Sequence, residues 1–248
     1  MDLNADLGET VDGVPTADDT AMFALVSSAS IACGGHAGDA SSMRTAVAGA
    51  TAARVAVGAH PSYLDRAGFG RVRVAVEPDL LRAQVLGQLH ALAAAGADVR
   101  YVKPHGALYH AASEDAATAR AVAAAVADLS AQLGRAVPLL GLGGAIVSAA
   151  SDAGLPFHLE AFLDRGYLAD GSLVPRGAPG ALLDDPDVVA ERALRLATQG
   201  EVVAVSGEVV RSEAASLCVH GDSPGAVAMA RAVRSALDAA GIVVRSPW

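Results

Sequence analysis

Four times in this chain a short apolar run ends on a histidine that sits beside glycine or proline. The runs are Ile31-Ala32-Cys33-Gly34-Gly35-His36, Val55-Ala56-Val57-Gly58-Ala59-His60-Pro61, Val99-Arg100-Tyr101-Val102-Lys103-Pro104-His105-Gly106 and Leu217-Cys218-Val219-His220-Gly221. A covered strand that delivers reactive groups at its tip has this form. In the third run Pro104 has no N–H to give to a ladder, so the strand should stop at Lys103 with the polar side chains on the turn beyond.

Between these runs lie long helical periods. A first strand over Met1–Asp6 is followed by a helix over Asp18–Val26, with Thr16 placed to cap it. Strands follow at Ala29–Cys33 and Val55–Ala59, separated by a helix that Asp39 or Ser41 begins and that runs to Ala53. A polar loop, Pro61–Arg73, leads to a helix over Glu77–Ala95 that Gly96 closes, and then to the Lys103 strand. A helix over Asp115–Leu133, a strand over Val137–Leu142, a helix over Ile146–Ala153 and a strand over Phe157–Phe162 come next. An irregular segment reaches Pro179, and a helix covers Pro186–Thr198. Glu201–Arg211 carries a hairpin signal, and strand Ser216–Val219 precedes a last helix from Pro224 to Ala240.

About seven short apolar strands alternating with amphipathic helices indicate an α/β fold with a parallel sheet covered on both faces. An open sheet gathers its site at one switch point, whereas a closed barrel lets nearly every strand end contribute. Ionisable residues end most of the strands here, which favours a (β/α) barrel. At 248 residues, one domain over 1–248 is the expectation.

The apolar content is mostly alanine and valine scattered among charges, so no span long enough for a bilayer is expected. The formal net charge of −9, with no cluster of lysine or arginine, argues against a nucleic-acid partner. The opening Met1-Asp2-Leu3-Asn4 has neither a basic nor a long apolar leader, and a cytoplasmic setting is expected. Cys33 and Cys218 are expected to be free and buried, and packing is the favoured reading for both.

Asp6 and Glu9 end the first strand; Glu9 reads equally well as an N-terminal cap or a loop charge, whereas Asp6, an acid at a buried strand tip, should be paired or ligating. His36, His60, His105 and His220 at equivalent strand ends invite a catalytic or metal-binding reading; His90, His110 and His158 fall in helix, loop and strand and are read as structural. Lys103 beside His105 suits polarisation of a carbonyl, or else pairing with a barrel carboxylate such as Glu160. Asp164-Arg165 lies on an extended loop where an arginine fork suits a substrate carboxylate. Gly141-Leu142-Gly143-Gly144 has the look of an anion cradle but lacks the lysine of a nucleotide loop, so no ATP motif is present.

Read together, Asn4-x-Asp6-Leu7-Gly8-Glu9, Ile31-Ala32-Cys33-Gly34-x-His36-Ala37-Gly38-Asp39, Gly58-Ala59-His60-Pro61-Ser62-Tyr63, Gly68-Phe69-Gly70-Arg71, Lys103-Pro104-His105-Gly106-Ala107-Leu108-Tyr109, Asp164-Arg165-x-Tyr167, Leu173-Val174-Pro175-Arg176 and Cys218-Val219-His220-Gly221-Asp222 resemble the LamB/YcsF family from end to end. The family usually has Cys where Ala5 stands, Phe where Gly35 stands and Pro where Leu64 stands, and Gly35 is expected to reshape the pocket wall. The resemblance implies a seven-stranded TIM-like barrel similar to the glycoside hydrolase/deacetylase group. It also implies ATP-dependent opening of the 5-oxoproline lactam to glutamate, in company with separate B and C subunits of a 5-oxoprolinase. On that footing Asp6, Glu9, His36, His60, Lys103 and His105 are the expected catalytic residues, and Arg71, Tyr109, Asp164, Arg165 and His220 bind substrate. If a divalent metal is held, Asp6, His36 and His60 are its candidate ligands. A stand-alone metal-dependent deacetylase or amidohydrolase, and a non-catalytic subunit that binds a sugar or small acid, are the competing readings.

Overall fold

The computed structural model describes residues 1–248. Its elements, in chain order, are β1 (Asp2–Leu7), β2 (Thr10–Val11), β3 (Val14–Pro15), α1 (Asp19–Phe23), β4 (Ser28–Ala32), α2 (Ala40–Ala53), β5 (Ala56–His60), α3 (Pro78–Ala94), β6 (Tyr101–Val102) and α4 (Gly106–Glu114). Then come α5 (Ala116–Leu133), β7 (Leu139–Gly141), α6 (Ala145–Asp152), β8 (Phe157–Phe162), α7 (Pro186–Gln199), β9 (Glu201–Val203), β10 (Val209–Arg211), β11 (Ser216–Cys218) and α8 (Ala226–Ala239). Seven parallel strands close into a TIM-like barrel in the order β1-β11-β8-β7-β6-β5-β4, with β2–β3 and β9–β10 as separate antiparallel hairpins. No helix is long and apolar enough to cross a membrane.

Alternation along the strands sorts two environments. Leu3, Ala5 and Leu7 of β1 are buried in the apolar core, while Asp2, Asn4 and Asp6 bond to groups of other strands. The lumen is therefore polar, unlike the branched apolar filling usual in such barrels. Asp2 accepts from the Ser27, Ser28 and Ser216 hydroxyls at 2.6, 2.7 and 2.5 Å. Asn4 Nδ2 donates to Ser216 Oγ at 2.7 Å and Glu160 Oε2 at 3.3 Å. Lower in the barrel Tyr101 lies across Gly58, where an added Cβ would sit 2.2 Å from the phenol ring; that glycine makes room for the ring. Trp248 packs on Tyr101 with ring centroids 4.9 Å apart and donates to Ser28 Oγ at 3.0 Å, covering the end opposite the strand tips.

Several local expectations are corrected. Asp18, not Thr16, caps α1, and the Thr16 hydroxyl donates instead to the Glu9 carbonyl. Of the two expected starts of α2, Asp39 is the cap, in a capping box with Ser42. The turn after Pro104 becomes helix α4 at once, so His110 is helical rather than in a loop. Lys103 does not stand on that turn: its side chain runs inside the barrel and is 1% exposed. Gly144 caps α6 where a Cβ would meet Ser113 O at 2.2 Å, so the glycine run serves close helix packing instead of an anion cradle. Gly35 abuts Gln88 and Ser62 and lies outside the cavity lining.

Candidate active site

The carboxyl ends of the strands meet at a small cavity. Its wall includes Asp6 from β1, His60 from β5, Lys103 and His105 after β6, Tyr109 and His110 from α4, Phe162 from β8, and Arg71, Arg165, Arg176 and His220 from loops.

The floor is an ion cluster. The Lys103 ammonium lies 2.8 Å from Asp6 Oδ1 and 3.2 Å from Glu160 Oε2, and it donates to Asn4 Oδ1 at 3.1 Å and Cys218 Sγ at 3.2 Å. Burial disfavours both charges, yet His60 and Lys103 hold the Asp6 carboxyl well below its usual range, and Asp6 leads the groups that hold Lys103 protonated. Of the two sequence readings of Lys103, the structure has the pairing with Glu160, with Asp6 added to it.

Above the floor are three imidazoles. His60 Nδ1 donates to the Lys103 carbonyl at 2.7 Å and its Nε2 lies 3.4 Å from Asp6 Oδ2 and 3.0 Å from His105 Nδ1. His105 Nε2 donates to the Phe69 carbonyl at 2.9 Å. His36 stacks on His105 with centroids 3.6 Å apart, and its Nε2 meets Glu9 Oε1 at 3.0 Å. Burial lowers the pKa of His36 and of His105 well below 6.5. Burial, followed by the Asp6 charge, pushes Glu9 up to about 8. The Phe69 carbonyl reaches His105 because the loop there turns left-handed, with φ of +53° at Phe69 and +64° at Gly70. A Cβ on Gly70 would strike His36 and His105 at 2.8 and 2.9 Å, which accounts for the glycine.

His220 faces the cavity from the other side. Asp164, itself fully buried, takes its Nδ1–H at 2.9 Å and a Ser223 hydroxyl at 2.7 Å, and Phe162 stacks on the ring with centroids 5.1 Å apart. Asp164 is absent from the cavity wall; it orients His220, leaving Nε2 as the free nitrogen. The Tyr109 hydroxyl and Glu160 Oε1 are buried without hydrogen-bond partners. Burial, then the Glu160 charge, raises the phenol well above 10.

Of the expected substrate-binding arginines, Arg71 pairs with Asp222 and lies over the Phe69 ring at 4.8 Å. Arg165 gives Nε to Ala181 O at 3.1 Å and Nη2 to Val174 O at 2.7 Å, which fixes the loop after β8 while its head stays on the cavity wall. Both cysteines are buried and free, and burial raises the Cys33 thiol to about 12 and Cys218 well above 9, so neither is a nucleophile at neutral pH.

As possible metal ligands the structure groups Asp6, His60 and His105, with ligand atoms within 4.8 Å of one another; His36 belongs to a second group with Glu9 and His105. The expected trio of Asp6, His36 and His60 is thus split. Two imidazoles with outer N–H groups bound to carbonyls and a nearby carboxylate are a donor set that suits a divalent ion. The Lys103 ammonium already on Asp6 Oδ1 competes with such an ion for that carboxylate. Asp6, Cys218 and His220 form a third group, so a ring nitrogen of His220 also lies within 4.8 Å of Asp6.

Two wall residues escape a reading of strand tips. His110 lies one turn into α4, and Arg176 lies far along the irregular segment. The only signal for Arg176 was its place in Leu173-Val174-Pro175-Arg176.

The sequence profile of the LamB/YcsF family matches this chain over residues 1–247. A relative from Streptomyces griseus, named as the A subunit of 5-oxoprolinase, is 49% identical over 251 aligned residues, covering 99% of each chain. Another of that name, from Kocuria rhizophila, is 51% identical and covers 99% of this chain and 98% of its own. The solved structure of a lactam utilization protein from Thermus thermophilus superposes with a TM-score of 0.91 at 45% identity, covering 99% of this chain and 98% of that one.

Proposed function

The chain belongs to the LamB/YcsF family, and from that premise we propose that it is the A subunit of a 5-oxoprolinase, opening the lactam of 5-oxoproline to glutamate. The observation that carries the reading is the meeting of two proton-handling units at one cavity: the Asp164-oriented His220, and the His60–His105 pair beside Asp6. Hydrolysing an amide needs a base for water and an acid for the departing nitrogen. His220 Nε2 serves as the base, Asp164 holding the tautomer that leaves its lone pair on the cavity side. The His60–His105 pair serves as the acid, and Asp6 with Lys103 sets its electrostatic surroundings. Tyr109 Oη offers a hydrogen bond to the ring carbonyl, and Arg71 faces the substrate carboxylate.

A lactam is a resonance-stabilised amide, and opening it against equilibrium needs coupling to ATP. The chain carries no nucleotide loop, so this reading assigns ATP cleavage to partner B and C subunits in the cytoplasm, with one catalytic domain contributed here. Consumption of 5-oxoproline and ATP by the reconstituted subunits, with and without this chain, tests it; turnover that does not need the chain would overturn it.

One observation favours a second reading, that of a metal-dependent amidohydrolase: Asp6, His60 and His105 offer an oxygen and two nitrogens. A bound divalent ion would supply Lewis acidity there. Lactam or amide hydrolysis by the purified chain alone, dependent on added metal, would support this reading over the first.

A further inference from the structure

The cavity mouth carries more positive charge than one carboxylate requires. Arg71, Arg165, Arg176 and His110 line both the cavity and the open depression that shares its wall. The acids nearby are engaged elsewhere: Asp222 with Arg71, Asp164 with His220 and Ser223, and Glu114 with Arg73. No carboxylate pairs with Arg165 or Arg176, in a chain whose net charge is −9. Arg165 uses Nε and Nη2 on backbone carbonyls, which leaves Nη1 free. Arg165 and Arg176 share the walls of both spaces, and burial and then the Arg176 charge, against an opposing Asp164 charge, lower the Arg165 pKa to about 10. The nine-residue helix α4 also begins here: Gly106 lines both spaces at its first position, where the backbone N–H has no helical acceptor.

A monoanion does not balance two unpaired guanidinium groups and a helix start. The geometry points to a phosphoryl-binding site made by Arg165, Arg176 and the Gly106 N–H at the start of α4, the Ala107 N–H being taken by the Gly70 carbonyl at 2.9 Å, for a dianion that is carried by an activated acid substrate, belongs to a nucleotide or is left as free phosphate. Planar guanidinium forks and helix N-termini are the groups that recognise phosphoryl oxygens best. The inference deepens the reading given under Proposed function and rests on it for the substrate's identity, though the site itself stands on charge and geometry. It gives this chain a role in handling the phosphoryl product of ATP cleavage without a nucleotide loop of its own.

The test is calorimetric titration of the full chain with inorganic phosphate, ATP and 5-oxoproline separately. Arg176→Gln is the main variant, because Arg165 also holds two loop carbonyls and its loss is expected to disturb folding. Arg44→Gln, an exposed residue outside both spaces, is the charge control. Saturable phosphate binding that weakens about tenfold or more in Arg176→Gln and is unchanged in Arg44→Gln is expected, since a charge-assisted hydrogen bond is lost. Tighter binding of ATP than of phosphate, lost in the same variant, supports the site with a nucleotide as the source. Phosphate binding that competes with 5-oxoproline supports it with a substrate-borne group. No saturable binding of any phosphate probe, or equal loss in both variants, overturns it. Phosphate binding without 5-oxoproline turnover by the reconstituted subunits would leave the site standing and remove the oxoprolinase reading; turnover without phosphate binding would do the reverse.

Discussion

His60 Nε2 and His105 Nδ1 lie 3.0 Å apart while the opposite nitrogen of each ring donates to a backbone carbonyl. A carbonyl only accepts, so both outer nitrogens carry hydrogen. Two neutral rings would then face one another lone pair to lone pair. The pair needs one further proton, or another cation in its place, and Asp6 is positioned to offset that charge.

His105→Ala is therefore expected to lower kcat of the reconstituted activity by roughly a hundredfold or more, the range of general acid–base catalysis. KM for 5-oxoproline should change little. Steady-state kinetics check this, and unchanged kcat would remove the pair from the mechanism.

Asp164→Asn keeps the shape of its site and removes the charge that selects the His220 tautomer. A loss of about a hundredfold or more in kcat is expected, with the melting temperature lowered only modestly. If kcat holds, His220 is not the base.

Glu9 is raised to about 8 in the folded chain from an ordinary 4.5. The native state binds more protons than the unfolded one between those values, so this residue makes stability fall as pH rises through that window. Glu9→Gln stays neutral and should gain at least about 1.4 kcal/mol relative to the parent at pH 9, the worth of one unit. His36 and His105 act oppositely: their lowered values favour neutral rings, and their contribution to stability is lost as pH falls below 6.5. Denaturant unfolding from pH 5 to 9 separates the two effects.

Lys103→Met leaves Asp6 and Glu160 buried without their cation. Breaking a buried pair in this way costs about 3–5 kcal/mol, which equilibrium unfolding would detect. A neutral result would show that water enters the lumen readily.

Much of the barrel and its rim was legible because apolar runs and their polar ends obey one strand geometry. His36, His60, His105 and His220 announced themselves by the glycine or proline beside each. The polar lumen was not legible: Asp2, Asn4, Ser28, Ser30 and Ser216 look like strand-end or loop residues until closure shows that they face one another. Arg176 and the His110 face of α4 depend on how an irregular segment folds back, and no periodicity encodes that. The division of labour between Asp164 and His220 also needed coordinates, because adjacency to Arg165 in sequence suggested a substrate contact.

Strand β1 lies between β4 and β11, with Asp2 opposite Ser216 and Asn4 opposite Cys218. The amide of Asn4 thus waits for partners that leave the ribosome more than two hundred residues later. Until then the acids of the first strand face water, and a nascent chain has no completed ring in which to hold them. Assembly of the barrel rim is accordingly a late event governed by long-range pairing, and slow maturation is the expected kinetic signature of this architecture.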